Sequence, residues 1–359
     1  MEEINYKDKL NDLLTATAKQ NASDLHITVG RRPTIRVDGI LVSLEQEPIL
    51  TAEMAQGIIY ELLTSDQKTR LEKDKQIDFA YSFEERARFR INVYYQRGYL
   101  AAALRLIPTQ IKTVEELGLP PIVHDFTKLS QGFILVVGPA GHGKSTTLAA
   151  ILDEINHNRT DHIITIEDPI EYLFVQDRCL ISQREVGNDV PTFEDGLRTV
   201  LRQDPDVVMI GEMRDSNSIA TAMTSAETGH LVFSTLHTNS ASQTIDRIID
   251  SFPPEQQSQI ISQLASTLVA IVSERLLPKL NGGRTPATEI MLVNSAIRNL
   301  IREKKIYQID LVIETSMQEG MVSLNHSLAN LVAKNEVSLE DAEMYSLNPA
   351  ELRILLEKM

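Results

Sequence analysis

The chain has 359 residues, more than one hydrophobic core usually serves, so division into two domains is expected. Its 42% hydrophobic and 24% charged residues exclude a disordered or fibrous chain, and a net charge of -15 opposes general affinity for nucleic-acid phosphates. The lone Cys179 forms neither an internal disulfide nor a cysteine zinc site, and fits a reduced, cytoplasmic compartment.

The start, Met1-Glu2-Glu3-Ile4-Asn5-Tyr6-Lys7, is acidic and lacks the apolar core of a signal peptide, so export is not expected. From Asp24 to Asp38 apolar and polar residues alternate, with Leu25, Ile27 and Val29 on one face, which predicts a half-buried strand and a turn at Gly30. Thr51 is a predicted N-cap, and Met54, Ile58 and Leu62 follow at helical spacing. Three alternating runs come next: Ile77 to Phe83, Phe89 to Tyr95 and Leu100 to Leu106. They predict an antiparallel meander with helices on one face as the first domain, residues 1–110. Pro108 and Gly118-Leu119-Pro120-Pro121 bracket a linker, residues 111–121.

The second domain, residues 122–359, has a different order. Apolar runs Phe133 to Val137, His162 to Ile166, Val207 to Ile210 and Leu231 to Phe233 are separated by helix-like segments, the pattern of a parallel sheet covered on both faces. After about Pro253 the chain reads as all-helical. Its most apolar stretch, Ile260 to Leu277, is interrupted by Ser262, Gln263, Ser266, Ser273, Glu274 and Arg275, and reads as one packed helix rather than a membrane span. The fold class is therefore α/β.

Gly138-Pro139-Ala140-Gly141-His142-Gly143-Lys144-Ser145 matches G-x-x-x-x-G-K-[ST] between a strand and a helix that begins near Thr146. Glycines let backbone N–H groups turn inward around a β-phosphate, and the helix N-terminus adds partial positive charge there. Residues 138–146 are thus the candidate ATP contacts. Lys144 is expected to reach the β- and γ-phosphates and Ser145 to place its hydroxyl on Mg2+. Val207 to Ile210 leads into Gly211-Glu212, presenting Glu212 beyond a buried strand as the main candidate to activate the attacking water and as a second Mg2+ ligand. Thr165-Ile166-Glu167-Asp168-Pro169 offers Glu167 in a similar position, and sequence does not divide base, water-orienting and Mg2+ roles between the two acids. His230 and His237 flank the run Leu231 to Leu236 and are candidates to report γ-phosphate occupancy; without a nearby cysteine they make a poor zinc pair. Asp204 and Arg214 frame the Glu212 strand.

These segments resemble the type IV pilus retraction ATPases of the secretion-ATPase superfamily over nearly the whole length. The resemblance rests on Ser23 to Ile27, Gly138 to Thr147, Thr165 to Glu171, Arg202 to Asp206 with Gly211 to Asp215, Ala226 to Thr238 and Ala296 to Glu303. The last resembles the motif associated with retraction; the others are shared with assembly and secretion ATPases. The resemblance implies a PAS-like N-terminal domain followed by a RecA-like P-loop domain with C-terminal helices, in a homo-hexamer. It implies coupling to an inner-membrane pilus platform protein and a paralogous accessory ATPase, with membrane association only through partners. Arg90 and Arg105, otherwise polar-face strand residues, acquire a γ-phosphate role across a subunit boundary. Ala140 and His142 stand where the family has hydroxyls, so altered affinity or pH response is expected. Pilus extension ATPases and type II secretion ATPases are the alternatives, disfavoured because those relatives carry a four-cysteine zinc insertion and this chain has one cysteine. An accessory retraction subunit, a nucleotide-gated scaffold and a nucleic-acid translocase are further alternatives.

Overall fold

The computed structural model describes residues 5–20, 22–37, 39–83, 87–107, 110–213 and 215–359. Met1 to Ile4, Asp38, Pro108 and Arg214, all named above, lie outside the described residues. The chain forms two compact units: the first runs to Gln110 and takes in Glu171–Leu173, and the second holds Ile111–Ile170 and Phe174–Met359.

The first unit opens with helix α1 (Tyr6–Lys19), where the Asn5 side chain accepts from the Lys7 and Asp8 N–H groups. Leu10, Leu13, Leu14 and Thr17 are buried at helical spacing, a stripe not anticipated above. Strands β1 (Asp24–Ile27), β2 (Thr34–Val37) and β3 (Ile40–Ser43) follow. Thr51 caps α2 (Ala52–Tyr60) as expected, and Thr64 with Gln67 forms a capping box on α3 (Ser65–Asp74). The three alternating runs are β4 (Gln76–Phe83), β5 (Ala87–Gln96) and β6 (Tyr99–Ile107). They complete an antiparallel sheet of order β3-β2-β1-β6-β5-β4. Phe89, Ile91 and Val93 point into the core while Arg90 is exposed, so strand period two sorts the two faces.

In the second unit a short helix α4 (Val123–Phe126) precedes β7 (Gly132–Val137), α5 (Lys144–Asn158), β8 (His162–Glu167) and β9 (Leu180–Glu185). Then come α6 (Phe193–Val200), β10 (Val207–Ile210), α7 (Ser216–Glu227) and β11 (Leu231–Leu236). Each predicted apolar run is a strand of one sheet, order β13-β12-β7-β11-β10-β8-β9, where β12 is Leu268–Pro278 and β13 is Arg284–Leu292. Strands β7, β10 and β11 are buried throughout because helices cover both faces. Phe133, Leu135 and Val137 pack on one side with Ile219 and Ile245; Ile134 and Val136 pack on the other with Leu148 and Ile151.

The all-helical reading after Pro253 is corrected here. Helices α8 (Ala241–Asp250) and α9 (Pro254–Thr267) are followed directly by β12, which pairs parallel with β7 and antiparallel with β13. Ile260 to Leu277 is therefore half helix and half strand. Ser262 and Ser266 lie on the exposed side of α9, whereas Ser273, Glu274 and Arg275 are buried in β12. The β-branched run Val269, Ile271, Val272 favours the extended chain, and Leu268 makes the switch with no intervening loop. The remaining helices are α10 (Ser295–Arg302), α11 (Ile309–Thr315), α12 (Leu324–Ala333), α13 (Leu339–Tyr345) and α14 (Pro349–Lys358). Among the described residues no helix is long and apolar enough to cross a membrane.

Candidate nucleotide-binding site

Strand β7 ends at Val137 and the chain turns through Gly138 to Gly143 into α5, whose N-cap, Gly143, has φ 98 and no capping side chain. The N-terminus of α5, with about half an elementary charge of helix dipole, therefore opens into the loop. Both flanking glycines are required by close approach. A Cβ on Gly138 would lie 2.4 Å from the Glu274 carbonyl oxygen, and one on Gly143 would lie 2.4 Å from Glu274 Oε1.

Lys144, the first residue of α5, is buried and curls back over its own loop. Its Nζ donates to the carbonyls of Gly138 and Pro139, each at 2.9 Å, and lies 3.4 Å from His237 Nδ1. Ser145 and Thr146 are half-buried beside it. Ala140 and Gly141 at the loop tip are exposed.

The neighbouring strand ends supply the other groups. His237 follows β11, and its Nε2 lies 3.5 Å from Glu212 Oε2. Glu212 follows β10 on a segment stitched to β11: Thr235 Oγ1 donates to the Gly211 carbonyl at 2.6 Å and Met213 N–H to the Thr235 carbonyl at 3.3 Å. Glu167 ends β8, the strand beyond, and is buried; its Oε1 accepts from Thr165 Oγ1 at 2.6 Å and Gln183 Nε2 at 3.3 Å. Lys144, His237 and Glu212 thus form a connected row across the carboxyl ends of β7, β11 and β10. Glu167 sits one strand further from the loop.

Two expected residues lie at the opposite ends of their strands, and two more belong to the first unit. His230 precedes β11, with its Nδ1 2.9 Å from the Ser225 carbonyl oxygen, while its own carbonyl accepts from Gly132 N–H. The whole of β11 separates it from His237, roughly 20 Å for six residues, so one chain does not bring it to the loop. Asp204 is likewise at the far end of β10, where its carbonyl oxygen lies 3.1 Å from His162 Nδ1. Arg90 and Arg105 are in the first unit, directly opposite one another across β5 and β6 and both exposed. Arg105 Nε lies 3.0 Å from Asp24 Oδ1 and Arg36 Nε 3.8 Å from Asp24 Oδ2. Burial raises the Asp24 carboxyl, but the Ser23 hydroxyl and Arg105 outweigh it and hold it below its ordinary value. Asp24 is thus shared by Arg105 and Arg36, while Arg90 and Arg105 face one another as like charges that suit an anionic visitor.

Several residues of the site were missed. Glu274 lies beneath the loop, accepting from Thr147 Oγ1 at 2.7 Å, and burial pushes its carboxyl up to about 7. Glu289 on β13 accepts the Ala241 N–H at 2.7 Å and is also pushed up to about 7 by burial. Arg275 holds the Asn239 carbonyl and side chain at 3.1 and 3.0 Å. The available signal for Glu274 and Arg275 is the presence of charged residues inside an apolar run, which the helix reading takes only as an argument against a membrane span. His142 does not occupy a hydroxyl's role: its Nδ1 accepts the Leu276 N–H at 3.0 Å, and its ring centre lies 6.0 Å from that of Tyr345. Burial, then the charges of Arg275, Lys144 and Arg284, lower its pKa.

Comparison with known proteins places this geometry in context. The model of the family described as Type II/IV secretion system protein matches residues 3–344. The Pseudomonas aeruginosa protein named Type IV pilus retractation ATPase PilT is 44% identical over 333 residues, 93% of this chain and 96% of that protein. A Neisseria gonorrhoeae twitching motility protein is 40% identical over 317 residues, 88% of this chain and 84% of that one. The crystal structure of the pilus retraction motor PilT with bound ADP superposes with a TM-score of 0.89 at 45% identity, covering 97% of this chain and 99% of that one.

Proposed function

The chain belongs to the Type II/IV secretion system protein family, and from that premise we propose that it is an ATP-hydrolysing motor that powers type IV pilus retraction and hence twitching motility. The observation that carries the chemistry is the row Lys144, His237, Glu212 at the mouth of the phosphate loop. Residues 138–146 wrap the phosphates, and arriving phosphate oxygens replace the Gly138 and Pro139 carbonyls around Lys144 Nζ. Glu212 takes the proton of the attacking water, and His237 holds its carboxylate at a fixed distance from Lys144. Glu167, fixed by Thr165 and Gln183, orients the water side of the site.

The Ser145 hydroxyl and the Glu212 carboxylate are hard oxygen donors beside the place the phosphates take, a donor set that suits Mg2+. Mg2+ held there with the nucleotide neutralises charge on the transferring phosphoryl group. Arg90 and Arg105 act from a neighbouring subunit in a homo-hexamer, a reading supported by their exposed, directly facing like charges and by the closing geometry of head-to-tail rings. The remaining parts of this reading are a PAS-like first domain (residues 1–110), a linker (residues 111–121) and a RecA-like second domain (residues 122–359). The ring works in the cytoplasm at the inner-membrane base of the pilus machine, with the platform protein and an accessory ATPase as partners.

The test is ATP hydrolysis by the assembled ring with Mg2+. Turnover that disappears in Lys144→Ala supports the reading, and normal turnover in that variant would refute the site.

A further inference from the structure

Glu274 is an ionisable group at the nucleotide site that the catalytic reading leaves without a task. It sits on β12, 2% exposed, directly beneath the phosphate loop. Its Oε1 occupies the space a Cβ on Gly143 would fill, and its Oε2 receives the Thr147 hydroxyl at 2.7 Å, one turn into α5. From α5 and the loop the charged group acting on it is Lys144. His142, also on the loop, is turned to Leu276 and Tyr345. Across the ladder its partner on β13 is Thr288, which carries no charge. Arg275 is directed to Asn239, as is Ser273, so both flanking residues leave by the other side of β12.

We propose that Glu274 is a positioning residue for the phosphate loop and the acceptor of a proton taken up when nucleotide binds. In the empty site Lys144 is the positive charge that offsets an ionised Glu274. Nucleotide brings phosphate charge to Lys144, and the carboxylate beneath the loop is then left facing added negative charge in a place water does not reach. A solvent proton adding to the carboxylate removes that repulsion, and the acid keeps an oxygen for the Thr147 hydroxyl. Burial already pushes the carboxyl up to about 7, against the pull of Thr147 and Lys144, so the proton is exchanged in the working range of the enzyme. Phosphate release reverses the step. Ionised Glu274 therefore weakens nucleotide binding and helps empty the site.

The inference rests on the nucleotide reading of the loop, and one titration separates their failures. ATP with saturating Mg2+ is titrated by calorimetry into the full chain from pH 6 to 8.5, in two buffers of different ionisation enthalpy. The expected result is net proton uptake near and above pH 7, with a Kd that rises with pH by up to about tenfold for each unit by which the phosphates raise the carboxyl. Glu274→Gln keeps the shape and the Thr147 bond and is expected to bind tightly across the range, with uptake lost. No ATP binding at any pH would sink the nucleotide reading and this inference with it. Tight binding without uptake and without pH dependence would overturn the inference alone. So would uptake that persists in Glu274→Gln and vanishes in His142→Ala. The wild-type uptake measurement stands even if Glu274→Gln does not fold.

Discussion

Alanine at Gly143 and alanine at Gly138 meet the same residue, Glu274, through different atoms, and the two should respond differently to its removal. At Gly143 (φ 98) the new Cβ meets Oε1 of the side chain, and at Gly138 (φ 148) it meets the backbone oxygen, both at 2.4 Å. Each substitution carries about 1–3 kcal/mol of backbone strain at positive φ. At Gly143 the carboxyl must also move, breaking its 2.7 Å bond with Thr147 and leaving both buried groups unpaired, another ~1–3 kcal/mol. Gly143→Ala is therefore expected to cost roughly 2–5 kcal/mol. Glu274→Ala breaks the same Thr147 bond, so the double variant should cost less than the sum of its parts by about 1–3 kcal/mol. Gly138→Ala should show no such relief, because truncating a side chain leaves a carbonyl oxygen where it was. Urea unfolding of the parent, the three single variants and the two doubles reads these differences directly. Additive costs for Gly143→Ala with Glu274→Ala, or equal relief at Gly138, would refute the reasoning.

Other expected outcomes follow from the same geometry. Glu212→Gln should lower kcat of the ring by about 10^2- to 10^4-fold while ATP still binds, checked by steady-state hydrolysis beside nucleotide titration. Arg105→Ala should also lower kcat with little change in ATP affinity, and mixing it with Glu212→Gln subunits should restore some turnover if the arginine acts across a boundary. Glu274 and Glu289 both hold protons in the fold to about pH 7 that the unfolded chain releases near 4.5. The folded state then binds more protons between those values, so stability should fall as pH rises from about 4.5 through 7. Thermal unfolding of Glu289→Gln across that range should show a shallower decline than the parent.

The parts of the fold legible in the sequence were those with strong local signals. Runs such as Phe133 to Val137 have no polar face, which only a doubly covered strand permits, and Thr51 announces a helix start by its own side chain. Helix α1 escaped because its four buried residues are diluted by lysines and threonines, so burial rather than hydrophobicity reveals the stripe. Strand β12 escaped because its buried Glu274 and Arg275 imitate a solvated face; their partners, Thr147 and Asn239, are distant in sequence. For the same reason the loop, Lys144 and Glu212 could be named from motif and strand order. His142's turn toward Leu276, and the separation of His230 from His237 by the length of β11, required coordinates.

The claim that this ATPase withdraws pili is tested most directly in cells whose chromosomal copy carries Lys144→Ala, with surface pili counted by electron microscopy. Dense pili that do not retract are expected, with loss of twitching. Bald cells would contradict retraction and point instead to pilus assembly.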